Sequence, residues 1–327
     1  MNAGVPVARP GLAPSATAAL TGDDRRIVIT GASGWLGNAT IELLHGALGY
    51  ALHDRLRCFG SNARTLHLRD GLAVDQRPLA EIGSLDQRPT SVLHLAFLTK
   101  DRVEGMDADA YEAANAALSG VVLDALDPIG AEAVFVASSG AARSAEDPAA
   151  DHAMRLYGAL KKRDEDMFAR WAIERDRTAV ITRVFNVAGP YINKHQNYAL
   201  AAFILDALAG REIVVKAPHR VVRGFVAIRE LMSLVFCLLN AVPPAVYRFD
   251  TGGEALELGD VAAAVGSALN APGVARAAIT SERVDHYVGD PGDYDGLRSR
   301  FAIDTVPLAD QIRETAESLV AASRLNG

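Results

Sequence analysis

Residues 27–37, IVITGASGWLG, place three glycines at a spacing of three residues directly after a short apolar run. Gly31, Gly34 and Gly37 lie between a predicted strand, RIVITG, and a predicted helix, GNATIELLHGALGY. In that context the glycines let the backbone turn tightly and approach a pyrophosphate, while the helix N-terminus faces the phosphates. The stretch therefore predicts a dinucleotide-binding loop at the start of an α/β fold.

The rest of the chain repeats this alternation of short apolar runs and Ala/Leu-rich helical stretches. The apolar runs include SVLHLAF, EAVFVASS and TAVITRVFN, and a long helix is predicted over MRLYGALKKRDEDMFARWAIE. Continuous apolar strands are typical of a parallel sheet covered on both faces, and strand–helix alternation gives right-handed crossovers. We therefore expect a Rossmann-type doubly wound parallel sheet.

The pattern changes after residue 190, where the predicted elements become shorter. We expect a disordered tail over residues 1–24, because this segment is rich in Ala, Pro and Gly. A dinucleotide-binding domain is predicted over 25–190, and a smaller C-terminal substrate-binding part over 191–327. Segments near 221–250 are expected to return to the first domain.

Composition limits the classes of function. The chain has 327 residues, is 50% hydrophobic and carries a net charge of −7, which argues against binding nucleic acid or an anionic membrane. Cys58 and Cys237 lie in apolar runs without metal-ligand spacing, so we predict buried thiols, no metal site and a reducing compartment. No apolar stretch is long enough to span a bilayer, and we expect a soluble, cytoplasmic protein.

The end of the second predicted strand bears on the choice between NAD and NADP. An acidic residue about 20 positions beyond the glycines would bind the adenosine ribose hydroxyls. This chain instead reads RCFGSNAR, with Ser61, Asn62 and Arg64 at that place. Hydroxyl, amide and guanidinium groups bind a 2′-phosphate well, so the sequence favours NADP, with NAD as the alternative.

A candidate catalytic pair follows in LYGALKK, where Tyr157 and Lys161 share one face of the long helix at i and i+4. We expect the ammonium to lower the pKa of the phenol, so that Tyr157 can exchange a proton with a carbinol oxygen. Ser138 and Ser139 end the strand VFVASS, at the edge of the sheet where a hydroxyl can polarise a substrate carbonyl.

These segments together resemble the extended short-chain dehydrogenase/reductases, a group of nucleotide-sugar epimerases, dehydratases and reductases. TGASGWLG is similar to that family's cofactor loop, VFVASSG to its catalytic serine strand, and Tyr157 with Lys161 to its active-site pair. TRVFNVAGP is the most specific match, and VVRGFVAIRE resembles a further family segment. The likeness extends over most of the chain from Ile27 onward.

The resemblance implies a set of site residues and a homodimer built by the helices that carry the Tyr/Lys pair. Ser139, Tyr157 and Lys161 are the implied catalytic residues, and Lys161 also holds the nicotinamide ribose. The expected cofactor contacts are Gly31, Ser33, Gly34, Trp35, Leu36, Gly37, Ser61, Asn62, Arg64, Leu95, Ala96, Tyr157, Lys161, Phe185 and Val187. Substrate contacts are expected at Ser139, Asn186 and Arg223, and at His195 because it follows the NVAGP turn.

Two departures from the family pattern shape the expected function. Gly140 and Ala141 follow Ser139 where family dehydratases carry an acid pair, and the segment from Ser139 to Tyr157 is short. The leading expectation is an NADP-dependent 4-ketoreductase of a nucleotide-linked sugar. The alternatives are a nucleotide-sugar 4-epimerase with tightly bound NAD, a reductase of a non-sugar carbonyl compound, and a catalytically idle dinucleotide sensor.

Overall fold

The computed structural model describes residues 10–99, 106–195 and 198–325. The strands are β1 Arg26–Thr30, β2 Leu56–Gly60, β3 Arg64–His67, β4 Ala73–Pro78, β5 Thr90–His94, β6 Ala131–Ser139, β7 Thr178–Val184, β8 Val187–Ala188, β9 Ile213–Val215, β10 Arg220–Gly224, β11 Val226–Ala227, β12 Val246–Asp250, β13 Ala255–Glu257, β14 Val274–Arg276 and β15 Val284–Tyr287. The helices are α1 Pro14–Thr21, α2 Trp35–Leu48, α3 Leu52–Arg55, α4 Ala108–Leu126, α5 His152–Arg175, α6 Ala199–Leu208, α7 Ile228–Leu239, α8 Leu258–Leu269, α9 Pro291–Arg300 and α10 Leu308–Leu325.

The central sheet has eight strands in the order β12-β7-β6-β5-β1-β2-β4-β3. Every neighbouring pair is parallel except β3 and β4, which form an antiparallel hairpin at one edge. β1 lies between β2 and β5 and is buried along its whole length. The doubly wound parallel sheet predicted from the sequence is confirmed.

The two faces of this sheet form separate hydrophobic cores. Ile27 and Ile29 of β1 pack in one core with side chains of α2 and α7, whereas Val28 packs in the other with α4 and α5. Successive side chains of a strand point to opposite faces, and both faces here need apolar residues. That requirement explains the unbroken apolar strands of the sequence.

A third core belongs to the C-terminal part of the chain. It is built from α6, α8 and α10 and includes Ile204, Val261 and Ile312, all fully buried. A three-stranded sheet, β13-β10-β15, lies in this part. Within the same half of the sequence β12 joins the central sheet beside β7. The division at residue 190 and the return of segments near 221–250 to the first domain stay predictions.

One feature of the N-terminal segment differs from expectation. Residues 10–24 were expected to belong to a disordered tail, but Pro14–Thr21 form helix α1, in which Ala16 and Leu20 are buried. The helix is held against α7, where the Ala13 N–H donates to Ser233 Oγ at 2.9 Å. Residues 1–9 of that predicted tail lie outside the described residues. In the parts of the chain that are described, no helix is long and apolar enough to cross a membrane.

Candidate active site

The glycine-rich turn joins β1 to α2 and has a geometry that only glycine satisfies at two of its positions. Gly31 has a φ of +69°, and a Cβ there would lie 2.8 Å from the Ala96 nitrogen. A Cβ on Gly37 would lie 2.5 Å from the Ala32 carbonyl oxygen. Gly34 is the N-cap of α2 and supplies no side-chain cap to the helix N-terminus. This cradle fits the pyrophosphate of a dinucleotide.

The turn is tied to the neighbouring strands by two side chains. Thr30 Oγ1 accepts hydrogen bonds from the Leu95 and Ala96 nitrogens, both at 3.2 Å, which fixes the ends of β1 and β5 together. Thr30 Oγ1 also lies 3.0 Å from His94 Nδ1. Burial, with the nearby Lys161 charge, lowers the pKa of His94 to about 3. His94 is therefore a neutral structural residue at physiological pH.

Gln76 of β4 is a cofactor-loop contact that sequence reasoning missed. Its Oε1 accepts from the Ser33 nitrogen at 3.1 Å, and its Nε2 donates to the Asn62 carbonyl oxygen at 2.9 Å. A Cβ on Gly60 would lie 2.4 Å from this carboxamide. A side chain at the last position of β2 would therefore have to displace the Gln76 carboxamide and break its two hydrogen bonds.

The three residues expected to favour NADP lie together just beyond β2. Arg64 Nη2 donates to Asn62 Oδ1 at 2.8 Å, and Ser61 Oγ donates to the same oxygen at 3.3 Å. All three are exposed. They form a polar surface that continues from the glycine turn through Gln76.

Ser139 ends β6 and stands at the carboxyl edge of the sheet. Its Oγ accepts from the Ala141 nitrogen at 3.2 Å, which caps the short 3-10 turn Gly140–Ser144. A Cβ on Gly158 would lie 2.2 Å from the Ala141 carbonyl oxygen, so this glycine lets α5 approach the turn closely. That approach brings Tyr157 of α5 to Ser139.

The pKa of Tyr157 differs from the sequence-based expectation. Burial raises the pKa of the phenol well above its usual value, and a hydrogen bond with Ser139 opposes the rise. The Lys161 Nζ donates to the Ala137 carbonyl oxygen at 2.8 Å and lies 3.6 Å from the ring centroid of Phe97. The expectation that Lys161 lowers the pKa of Tyr157 is wrong, because burial raises that pKa instead.

Phe97 contacts both members of the catalytic pair. Its ring meets that of Tyr157 edge to face, with the centroids 5.7 Å apart, while it covers the Lys161 ammonium. Burial lowers the pKa of Lys161 to about 8, and Asp164 and Glu165 on the same helix oppose this. The lysine is thus a buried cation held between an aromatic face and a backbone carbonyl.

The two acidic residues of α5 are themselves partnered. Asp164 Oδ2 accepts from Ser119 Oγ at 2.8 Å. Glu165 is fully buried, accepts from Ser138 Oγ at 2.5 Å and pairs with Arg183 through both carboxylate oxygens. Ser138, the neighbour of Ser139, therefore anchors the strand instead of facing the site.

An aromatic pair closes the other side of Ser139. The ring centroids of Phe185 and Tyr287 are 4.8 Å apart, and the Tyr287 hydroxyl lies 3.4 Å from Ser139 Oγ. A Cβ on Gly140 would lie 2.6 Å from the Phe185 ring. The position that carries an acid in dehydratases is thus filled by an aromatic ring.

Two of the expected substrate residues are engaged with the protein. Asn186 is buried, and its Nδ2 donates to the carbonyl oxygens of Gly224 at 3.2 Å and Tyr287 at 3.4 Å. Arg223 forms an ion pair with Asp285 through Nη2 at 2.9 Å. Binding of a diphosphate by Arg223 would have to share the guanidinium with that carboxylate.

The remaining expected residues make contacts of their own within the protein. His195 Nε2 lies 2.8 Å from the Ile192 carbonyl oxygen, so the ring packs on its own loop. Val187 is buried in strand β8, which pairs with β11. Trp35 and Leu36 begin α2, and the Trp35 ring packs edge to face on Tyr198. The contacts of these residues with cofactor or substrate stay predictions.

Among the described residues, no group of three or more His, Cys, Asp or Glu side chains is placed to hold a metal ion.

Comparison with known proteins agrees with this architecture. A family model described as the NAD dependent epimerase/dehydratase family matches residues 27–248. None of the curated proteins compared matches the sequence. Because the family model spans well over half of the chain, the resemblance inferred from the motifs is confirmed.

Solved structures with similar folds come from the same group of enzymes. A UDP-N-acetylglucosamine 4-epimerase from Methanobrevibacter ruminantium superposes with a TM-score of 0.71 at 18% identity, covering 92% of this chain and 99% of that one. A Thermus thermophilus UDP-glucose 4-epimerase, solved with NAD, gives 0.64 at 19% identity, covering 91% and 99%. The NDP-hexosamine 5,6-dehydratase TunA gives 0.63 at 20% identity, covering 90% and 98%.

At these identities the superpositions establish the fold, and the match to the family model establishes the family. The chain therefore belongs to the NAD dependent epimerase/dehydratase family and is an NAD(P)-dependent enzyme of the extended short-chain dehydrogenase/reductase type.

Proposed function

We propose that this enzyme is an NADP-dependent oxidoreductase that reduces the keto group, at C4, of a nucleotide-linked sugar. The observation that carries the proposal is that Ser139, Tyr157 and Lys161 lie together at the carboxyl edge of the sheet. The buried positions after Ser139 hold Gly140 and Ala141, which have no acid–base side chain, and this argues against dehydration.

The chemistry assigned to the chain's own residues is a proton transfer. Ser139 hydrogen-bonds the carbonyl oxygen, and Tyr157 donates its proton to that oxygen as the C=O π bond breaks. Bound NADPH supplies the hydride that forms the new C–H bond and is itself oxidised. The product is a secondary alcohol, and the phenolate of Tyr157 regains a proton from solvent. Lys161 stays protonated during these steps, so that a positive charge remains at the site.

The preference for NADP rests on the polar surface of Ser61, Asn62 and Arg64. A 2′-phosphate is recognised by a guanidinium with hydroxyl and amide donors, and β2 ends in Gly60, without a carboxylate that would repel the phosphate. Arg64→Ala should therefore weaken the binding of NADPH about tenfold more than the binding of NADH, as measured by fluorescence titration with each cofactor. Equal losses for both cofactors would contradict the assignment.

The nucleotide-sugar class of substrate is supported by the family and by the solved structures. One of them is a UDP-N-acetylglucosamine 4-epimerase in complex with UDP-N-acetylmuramic acid, and another is a UDP-glucose 4-epimerase. A second candidate function is favoured by the same likeness: a 4-epimerase with tightly bound NAD, which would use Ser139, Tyr157 and Lys161 without net consumption of cofactor.

One assay separates these functions. Purified protein is incubated with 4-keto nucleotide sugars and NADPH, and the absorbance of NADPH is followed together with the sugars formed. Consumption of NADPH supports the reductase, whereas interconversion of sugars without consumption supports the epimerase. Consumption with small ketones alone would place the substrate outside the nucleotide sugars.

Tyr157→Phe is the matching test of the proton donor. The variant removes only the hydroxyl, so we expect turnover to fall by about 10²–10⁴-fold. Cofactor affinity should stay within twofold, and Tyr50→Phe, at a residue 93% exposed, serves as the control. Turnover that survives in Tyr157→Phe would show that another group delivers the proton.

We also propose a homodimer formed through α4 and α5. Val121 on α4 and Ile173 on α5 are large apolar side chains that are 38% and 71% exposed in the single chain. Sedimentation equilibrium should give twice the mass of the chain, and Ile173→Lys should shift it toward the monomer.

A further inference from the structure

Tyr287 brings a second phenol to the reacting centre from a distant part of the sequence. Its hydroxyl lies 3.4 Å from Ser139 Oγ, and Tyr157 also lies beside that serine. The backbone N–H of Ala141 donates to Ser139 Oγ and lies close to Tyr287 as well. Three hydroxyls and one amide thus converge on one point at the carboxyl edge of the sheet.

The position of Tyr287 is fixed by several independent contacts. It is the last residue of β15 and pairs with Arg223 of β10. Its carbonyl oxygen accepts from Asn186 Nδ2 at 3.4 Å, and its ring packs on Phe185. A donor held by strand pairing and ring packing needs little reorganisation when charge develops nearby, and such donors stabilise developing oxyanions strongly.

Lys161, the buried cation of the site, does not stabilise the carbonyl oxygen of the substrate. Lys161 directs its ammonium to the Ala137 carbonyl and to the Phe97 ring. The charge that grows on a carbonyl oxygen during reduction must therefore be stabilised by the hydroxyls around Ser139. Arg223 lies with its guanidinium carbon 5.9 Å from the Tyr287 ring centroid, and a nearby cation makes a phenol a better donor.

We propose that Tyr287 is a further catalytic residue, whose hydroxyl holds the reacting oxygen of the substrate together with the hydroxyl of Ser139. The inference rests on the proposed function, because it requires a carbonyl substrate. Tyr157 delivers the proton, whereas Ser139 and Tyr287 polarise the C=O bond and stabilise the alkoxide until that proton arrives. Tyr287 itself keeps its proton throughout.

The test compares Tyr287→Phe with Tyr247→Phe, a half-buried tyrosine near the amino end of β12, away from the carboxyl edge of the sheet. Both variants lose one hydroxyl and keep the ring. Each protein is loaded with NADP⁺, which has no hydride to give, and then with a carbonyl probe labelled with carbon-13 at the keto carbon. The probes are a UDP-linked 4-keto-6-deoxyglucose and cyclohexanone, and the readout is the isotope-edited infrared band of the bound carbonyl.

We expect the C=O band to lie at lower frequency in the wild type and in Tyr247→Phe than in Tyr287→Phe, because a lost donor leaves the bond less polarised. With NADPH, kcat/KM of Tyr287→Phe should fall about 10²-fold, mostly in kcat. An unchanged band in Tyr287→Phe would overturn the role of Tyr287 and leave the proposed function standing. No bound band with either probe in the wild type would instead refute the proposed function, and this inference with it.

A double-mutant cycle with Ser139→Ala gives a second measurement. Two groups that hold the same oxygen are coupled, so the loss in kcat in the double variant should be clearly smaller than the product of the two single losses. Simple multiplication of the two losses would show that Tyr287 acts away from the substrate oxygen. A purely structural role is tested by NADPH affinity, which should be the same in all variants.

Discussion

At the scale of single residues, the surroundings of Tyr157 favour its neutral form. Burial raises the pKa of the phenol. A phenol that stays protonated at neutral pH can give a proton to an alkoxide. The protonation state of Tyr157 therefore agrees with the role proposed for it in the ketoreductase.

Lys161 gives the activity a predicted pH dependence. Burial lowers the pKa of its ammonium to about 8, from an ordinary value near 10.5. The positive charge is present below that pH and is lost as the pH rises through it. We therefore expect kcat/KM to fall on the alkaline side with a midpoint near pH 8, measured at saturating cofactor.

The control for this prediction is Lys161→Arg, since a guanidinium stays charged to far higher pH. The alkaline fall of the residual activity should move above the accessible range in this variant. An alkaline fall that keeps its midpoint in Lys161→Arg would show that another group titrates. His94, whose pKa burial lowers to about 3, stays neutral across the profile.

Whether a residue of the site could be predicted depends on how far its partners lie from it in the sequence. Ser139, Tyr157 and Lys161 could be picked out because a strand end and a helical i, i+4 spacing are local patterns. Tyr287 and Gln76 could not, because they reach the site through strand pairings that no local spacing encodes. Phe97 ends a predicted strand, but its contact with the Lys161 ammonium depends on how α5 packs on the sheet.

At the scale of elements, the packing of α5 against the turn after β6 sets the position of Tyr157, the proposed proton donor. The two meet at Gly158, where a Cβ would come within 2.2 Å of the Ala141 carbonyl oxygen. Gly158→Ala must push the helix away from the turn, and overpacking of this kind costs about 1–3 kcal/mol. We expect a lower melting temperature and a loss of turnover, because Tyr157 moves relative to Ser139.

Gly46 of α2 provides the matched control for that change. It is exposed, and a Cβ there would meet no atom within 4 Å. Gly46→Ala should stabilise the protein by about 0.5–1 kcal/mol, because alanine loses less backbone entropy in a helix. Equal melting temperatures for Gly158→Ala and Gly46→Ala would show that α5 is free to shift.

Elements were predictable where one surface of a helix or both faces of a strand had to be buried. α2, α4 and α5 and the parallel strands carry that pattern along their length. The hairpin of β3 and β4 was not expected, because most of its residues are exposed or partly buried, with Leu66 and Gln76 buried, and because it replaces the usual helical crossover at the sheet edge. Short edge strands of this kind give a weak signal in sequence.

At the scale of the whole molecule, α1 extends the core beyond the expected fold. It packs on α7 and α2, and its buried residues join the core on one face of the central sheet. Arg55 also donates to the Leu20 carbonyl oxygen at 2.8 Å. The sequence did carry a signal for this helix, because a proline in the first turn followed by alanines is typical of a helix start. The Ala, Pro and Gly content of the whole N-terminal segment instead led to the prediction of a disordered tail.

If α1 is an integral part of this core, Leu20 should matter to stability as an interior leucine does. Leu20 is 2% exposed, and Leu20→Ala should lower the free energy of unfolding by about 2–5 kcal/mol. Leu208→Ala is the matched control, because that leucine, at the end of α6, is 42% exposed. Its loss should stay below about 1 kcal/mol. Urea denaturation followed by circular dichroism measures both, and a Leu20→Ala curve that overlays the wild type would show that α1 contributes nothing to the folded state.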